Sequence, residues 1–329
     1  MLKAIFKDYS PVVKLVFLLI LSIASLSVFL FFASIIVRAL WGFNFIDNPS
    51  SLENFSDPFV VDANRLILVF QQIGFFILPA IVFLKLSTNS PQAFILWRKN
   101  VNILVSISVI VLLLSFMPVV NFFIWLNESM VFPEFLAGIE AVFRSMEDNA
   151  AVLTEALIKM DGISDFLYLT LLVAVLPAIG EELMFRGVIQ RLLTVRFKNY
   201  HWGIWVSAFL FSAIHLQFYG FLPRMLLGAL FGYMLVYTGS IVYPMVAHFV
   251  NNFASLLLAY LIQHGKVQEE IDNIGANLEW QFILPGLAFT SVLFYYLWKN
   301  RNRELIMQYQ VLPPEDIDGE YYGDLIDQP

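Results

Sequence analysis

From Leu15 to Val37 the chain reads LVFLLILSIASLSVFLFFASIIV, without one charged side chain. About 20 apolar residues in a helix rise about 30 Å, the thickness of a bilayer's hydrocarbon core. The run is too long for the apolar centre of a signal peptide. No small-residue cleavage site follows it cleanly, so it reads as a spanning helix.

Working outward, seven further runs of this kind fill the chain: Leu66–Leu86, Val101–Leu126, Ile163 to about Gln190, Trp202–Leu216, Phe221–Tyr237, Ile241–Leu261 and Phe282–Trp298. The fifth and sixth spans are short. Hydrophobic residues make up 59% of the 329 and charged residues 14%. A soluble domain carries roughly 25% charged residues, so this chain lacks the polar side chains to cover a surface facing water. The expected fold is an all-α, polytopic bundle of about eight transmembrane helices, in contact with lipid throughout and multi-pass in the cell membrane.

Lys and Arg set the expected orientation. Lys3, Lys7 and Lys14 precede the first span, and Lys85, Arg98 and Lys99 lie between the second and third. Arg191, Arg196 and Lys198 follow the fourth; Lys299, Arg301 and Arg303 follow the eighth. With an even number of spans, all of these share the cytoplasmic side with both termini. The other side holds fewer cations, among acids such as Asp57, Asp62, Glu128, Glu147 and Asp148.

Four regions follow. Residues 1–130 form a three-helix membrane region. Residues 131–162 mix Leu, Val and Ile with Glu140, Glu147 and Glu155, and read as an extracytoplasmic amphipathic segment. Residues 163–298 form a membrane core. Residues 299–329 are a polar, acidic cytoplasmic tail, read as mostly disordered from 301. The absence of cysteine excludes disulfides, a zinc–thiolate site, a Cys nucleophile and lipidation on Cys. The net charge of −7 carries no basic stripe, so nucleic acid is not an expected partner.

An ionisable side chain inside a span costs about 2.5–3.5 kcal/mol on insertion scales, which makes it a candidate for function. Here such residues cluster. The fourth span holds Glu181, Glu182 and Arg186; the fifth ends near His215; the seventh holds His248, Asn251 and Asn252. At about 1.5 Å per residue, Glu181 lies roughly 15 Å from the Arg191 boundary, His215 roughly 20 Å in, and His248 and Asn252 roughly 10 and 16 Å in. Three consecutive helices thus bring polar groups to a similar depth.

Local spacing adds to this. Glu182 and Arg186 stand at i,i+4 with the acid first, the favourable order, and read as a structural pair. Glu181 points about 100° away and is left free. His248 and Asn252, also at i,i+4, share a face. Gly228 and Gly232 form a small-residue face for close helix packing. Arg224 reads as a snorkelling charge at a helix end. His201 and His264 read as ordinary boundary and loop histidines. The same four residues, Glu181, His215, His248 and Asn252, would equally form a polar network that only orders the bundle.

At these residues the chain resembles a family. Glu181-Glu182-Leu183-Met184-Phe185-Arg186 resembles the E-E-x-x-x-R motif of the CAAX prenyl endopeptidases and bacteriocin-processing enzymes (the CPBP or Abi family). Phe211 to His215 matches its F-x-x-x-H motif, and His248 to Asn252 its H-x-x-x-N motif. Three motifs in order, over about residues 160–260, make the resemblance specific. It implies an eight-helix intramembrane protease without a cofactor or metal, acting on a membrane-associated or lipidated protein or peptide. It implies Glu181 as the base that activates water, His215 as a residue that binds and orients that water, and His248 and Asn252 as oxyanion donors. Glu182 and Arg186 would support the site.

The residues suit this chemistry on their own. A carboxyl group in apolar surroundings suits a base working near neutrality, and an oxyanion needs donors aimed at one point. Three alternatives stay open. Glu181, His215 and His248 would also suit a zinc site with an open position. A non-catalytic scaffold or immunity protein would carry the same motifs. A transporter would show paired half-helices or an inverted repeat, and neither is visible.

Overall fold

The computed structural model describes residues 4–98, 101–267 and 280–311. Among them every regular element is a helix. The long ones are α1 (Pro11–Trp41), α2 (Pro58–Ser87), α3 (Ile103–Glu128), α4 (Ala137–Leu157), α5 (Ile163–Phe197), α6 (Tyr200–Ala213), α7 (Phe221–Thr238), α8 (Val242–Gln263) and α9 (Trp280–Lys299). A short α10 (Arg303–Tyr309) follows.

Capping fixes several ends. Ser10 accepts from Val13 N–H and Pro11 opens α1, which closes on Gly42 at φ 81°. Asn102 accepts from the Leu104 and Val105 N–H groups at the start of α3, and Asn199 from His201 N–H at the start of α6. These are the usual means of satisfying the free donors of a first turn.

Seven helices are long and apolar enough to cross a membrane: α1, α2, α3, α5, α7, α8 and α9. The chain is a multi-pass helical membrane bundle. Side chains such as Leu19, Ile20, Phe31 and Phe32 of α1, and Leu284, Phe289 and Val292 of α9, are more than half exposed. A soluble protein rarely shows apolar faces of that extent. The fifth expected span, Trp202–Leu216, falls on α6. Its 14 residues reach about 21 Å, short of the about 30 Å of the hydrocarbon core. α6 packs against α7 and the last turns of α5.

Wide turns interrupt the α-helical ladders of α2 and α5. Gln72–Ile77 in α2 and Thr170–Val175 in α5 are π-helical, and each ends two residues before a proline, Pro79 and Pro177. Proline offers no N–H and clashes with the preceding turn, and a widened turn accommodates both. A third such turn, Leu183–Ile189, carries Arg186.

The amphipathic reading of 131–162 corresponds to α4, with the aromatic side chains of its segment on the loop after α6. Phe143 stacks on Phe218 at 5.0 Å, and Arg144 lies 4.6 Å above the Tyr219 ring. Phe132 N–H and the Arg144 guanidinium hold the Glu140 carboxyl below the usual carboxylate range. At the other end of the bundle, the expected disorder from residue 301 does not hold for α10. Its Leu305, Ile306 and Tyr309 are buried, and Arg191 of α5 lies 4.4 Å above the Tyr309 ring. Residues 312–329 of the acidic tail, and Lys3 and Lys99, lie outside the described residues.

Close backbone approach holds α6 in place. A Cβ on Gly203 would stand 2.9 Å from the Thr194 backbone and collide with its side chain. Gly203→Ala is therefore expected to destabilise by about 1–3 kcal/mol, the usual cost of overpacking. Gly138→Ala in α4, where nothing lies within 4 Å, is the control and should be neutral or slightly stabilising. Thermal unfolding of the two purified proteins compares them; equal melting would refute the close packing.

Candidate active site

The site is built on α5. Glu181, Glu182 and Arg186 are buried, at 6%, 0% and 1% exposure. Arg186 Nη1 donates to Glu182 Oε1 at 2.8 Å, and its Nη2 to the Gly228 carbonyl of α7 at 3.1 Å. The guanidinium also lies 4.5 Å from the Phe211 ring centre, a cation–π contact in a dry setting. Gly228 leaves room for it, since a Cβ there would be 3.2 Å from Arg186 Nη2.

His248 enters from α8, stacked on Phe231 at 5.4 Å. Its Nδ1 lies 2.8 Å from Glu182 Oε1, the oxygen that also takes Arg186. Its Nε2 lies 3.9 Å from Glu181 Oε2. Glu182 is thus more than half of an ion pair: it also fixes the imidazole of His248. An ionised carboxylate only accepts, so Nδ1 carries the proton there.

His215 follows the end of α6. Its Nδ1 is 2.9 Å from the Phe211 carbonyl, which again places the proton on Nδ1 and leaves Nε2 as an acceptor. Asn252 donates one amide hydrogen to the Val173 carbonyl at 3.0 Å and accepts from Asn251 at 3.1 Å. The Val173 carbonyl lies in the π turn of α5, where the helix ladder is disturbed.

Glu181, His215, His248 and Asn252 all line one cavity of about 520 Å³. Glu182 and Arg186 do not reach it and stand behind it. The cavity is large enough for several residues of a peptide. Among the described residues no three His, Asp or Glu side chains come together as a metal-binding group.

Gln72 and Arg224 line the cavity but were not among the expected site residues. Gln72 of α2 donates to Glu181 Oε1 at 3.2 Å. A polar pair, Gln71–Gln72, in the middle of an apolar run was its signal. Arg224, expected to snorkel, instead lines the cavity and donates to Gln217 at 2.8 Å. Gln217 in turn reaches Glu147 of α4 at 3.4 Å, so α4 borders the cavity mouth.

Residues 163–254, less than a third of the chain, match the family described as type II CAAX prenyl endopeptidase Rce1-like. The Rce1-like segment runs from the start of α5 into α8 and contains all seven fixed positions of the three motifs. "Uncharacterized protein YpbD" of Bacillus subtilis (strain 168) is 29% identical over 118 residues, 34% of this chain and 56% of that protein. The chain therefore spans about half the length of that curated relative. No solved structure matches the chain.

Proposed function

We propose that this chain is an intramembrane endopeptidase that hydrolyses a peptide bond of a membrane-associated or lipidated protein or peptide. The observation that carries the reading is the convergence of Glu181 of α5, His215 of the loop after α6, and His248 and Asn252 of α8 on one cavity within a membrane bundle. The Rce1-like match of the same segment points the same way.

Glu181 takes a proton from water as the water oxygen attacks the scissile carbonyl carbon. The same proton then passes to the amide nitrogen as the C–N bond breaks, so that one general base returns as general acid. The Nε2 of His215 accepts the second hydrogen of the water and orients it. The tetrahedral intermediate places a negative charge on the former carbonyl oxygen, which needs donors. Asn252 has one amide hydrogen left for it. His248 gives its Nδ1–H to Glu182, so it donates from Nε2 only as an imidazolium.

The test is the membrane proteome of a Glu181→Ala strain beside wild type. A membrane protein or lipopeptide that keeps a terminal or internal segment in the variant, and loses it in wild type, is the expected result. Identical proteomes under conditions where the protein is abundant would count against the protease.

A further inference from the structure

Gln72 lies in α2, outside the Rce1-like segment, yet it touches the proposed base. It opens the π turn Gln72–Ile77, and that turn packs on α5 one residue before Glu181. A Cβ on Gly180 would stand 2.9 Å from Ile77 Cγ1 and 3.2 Å from Phe76 Cβ. The two helices therefore meet as closely as a glycine allows, and Gln72 is brought to the carboxyl group by that approach.

The two ends of Gln72 are used unequally. Its Nε2 donates to Glu181 Oε1 at 3.2 Å. Its Oε1 is buried without a hydrogen-bond partner among the described residues, and the side chain lines the cavity. A glutamine that only tied two helices together would satisfy both ends, as buried polar groups generally do. Glu181 is also divided: Oε1 is held by Gln72, while Oε2 lies 3.9 Å from His248 Nε2.

We infer that Gln72 is a positioning residue for Glu181. The terminal torsion of a glutamate is broad and two-fold, so an untied carboxyl group swings between orientations. A donor on one oxygen selects the orientation that turns the other toward His248 and the cavity. This inference rests on the reading of Glu181 as the base. It adds that the base is set by a helix outside the Rce1-like segment.

The test uses the full-length protein in liposomes, with Gln72→Met, which keeps the length of the side chain and removes the donor. Acid-minus-alkaline infrared difference spectra of wild type and Glu181→Gln identify the Glu181 carboxyl band. In Gln72→Met, with its melting temperature checked against wild type, that band should move to higher wavenumber. An unmoved band overturns the inference, and this arm needs no substrate. The second arm is cleavage of a fluorogenic peptide carrying a farnesylated cysteine. Misplacing a reacting group by about 1 Å costs up to about 10²-fold, so kcat should fall about 10- to 100-fold with KM little changed. A raised KM with unchanged kcat would overturn the positioning role. Absence of cleavage by wild type would count against the protease reading, while the infrared arm would still decide the Gln72 contact.

Discussion

Glu181→Gln should abolish detectable peptide cleavage while leaving the fold intact. Glutamine keeps the size of the side chain but cannot accept the proton of water. Loss of a general base costs about 10²–10⁴ in rate. The helix around position 181 should survive, because the buried ion pair next to it belongs to Glu182 and Arg186, at 2.8 Å. The measurement is cleavage of the farnesylated peptide by purified protein in liposomes, with and without a chelator of divalent metals. Wild-type melting with no turnover is the expected pair of results. Full activity in Glu181→Gln would remove the base assignment, and reversible loss on chelation would revive a metal mechanism.

The second large effect concerns Arg186. Breaking a buried pair by removing one partner costs about 3–5 kcal/mol, because the other charge stays buried and uncompensated. Arg186→Ala leaves Glu182 with His248 alone and removes the side-chain donor from the Gly228 carbonyl. The cation–π contact with Phe211 goes as well. The purified variant should melt well below wild type in the same detergent and be recovered in lower yield. A variant as stable as wild type but inactive would show that Arg186 acts in the chemistry and not in holding the site.

Much of this was legible in the sequence because the membrane is a demanding solvent. Runs such as Leu15–Val37 have no other use, and Glu181, His215 and His248 are conspicuous where charge is costly. The i,i+4 pair Glu182–Arg186 was readable because helix periodicity alone fixes it. The bond between Glu182 and His248 was not, since it joins residues 66 apart through packing that periodicity does not encode. Gln72 was hidden for the same reason, 109 residues from its partner. α6 was read as a span because its apolar run continues past its helical end at Ala213 into the loop that carries His215. In α10 the apolar face of Leu305, Ile306 and Tyr309 was lost among polar neighbours, and its docking against Arg191 and Gln190 of α5 comes from packing that the local sequence does not encode.

The contact of Tyr309 with Arg191 and Gln190 also bears on how the protein can be cut and joined. The Rce1-like segment is a unit of comparison, not a unit that would stand by itself in a bilayer. Excised at 163 and 254, it would turn Arg191 and Gln190 toward lipid or water without Tyr309 beside them, and Gly180 would lose the cover of Phe76 and Ile77. A chimaera that transplants the motifs must therefore carry α2 and α10 with them. A reporter joined directly after Lys299 would displace the helix that closes this end of the bundle, whereas one placed beyond Val311 would leave it seated.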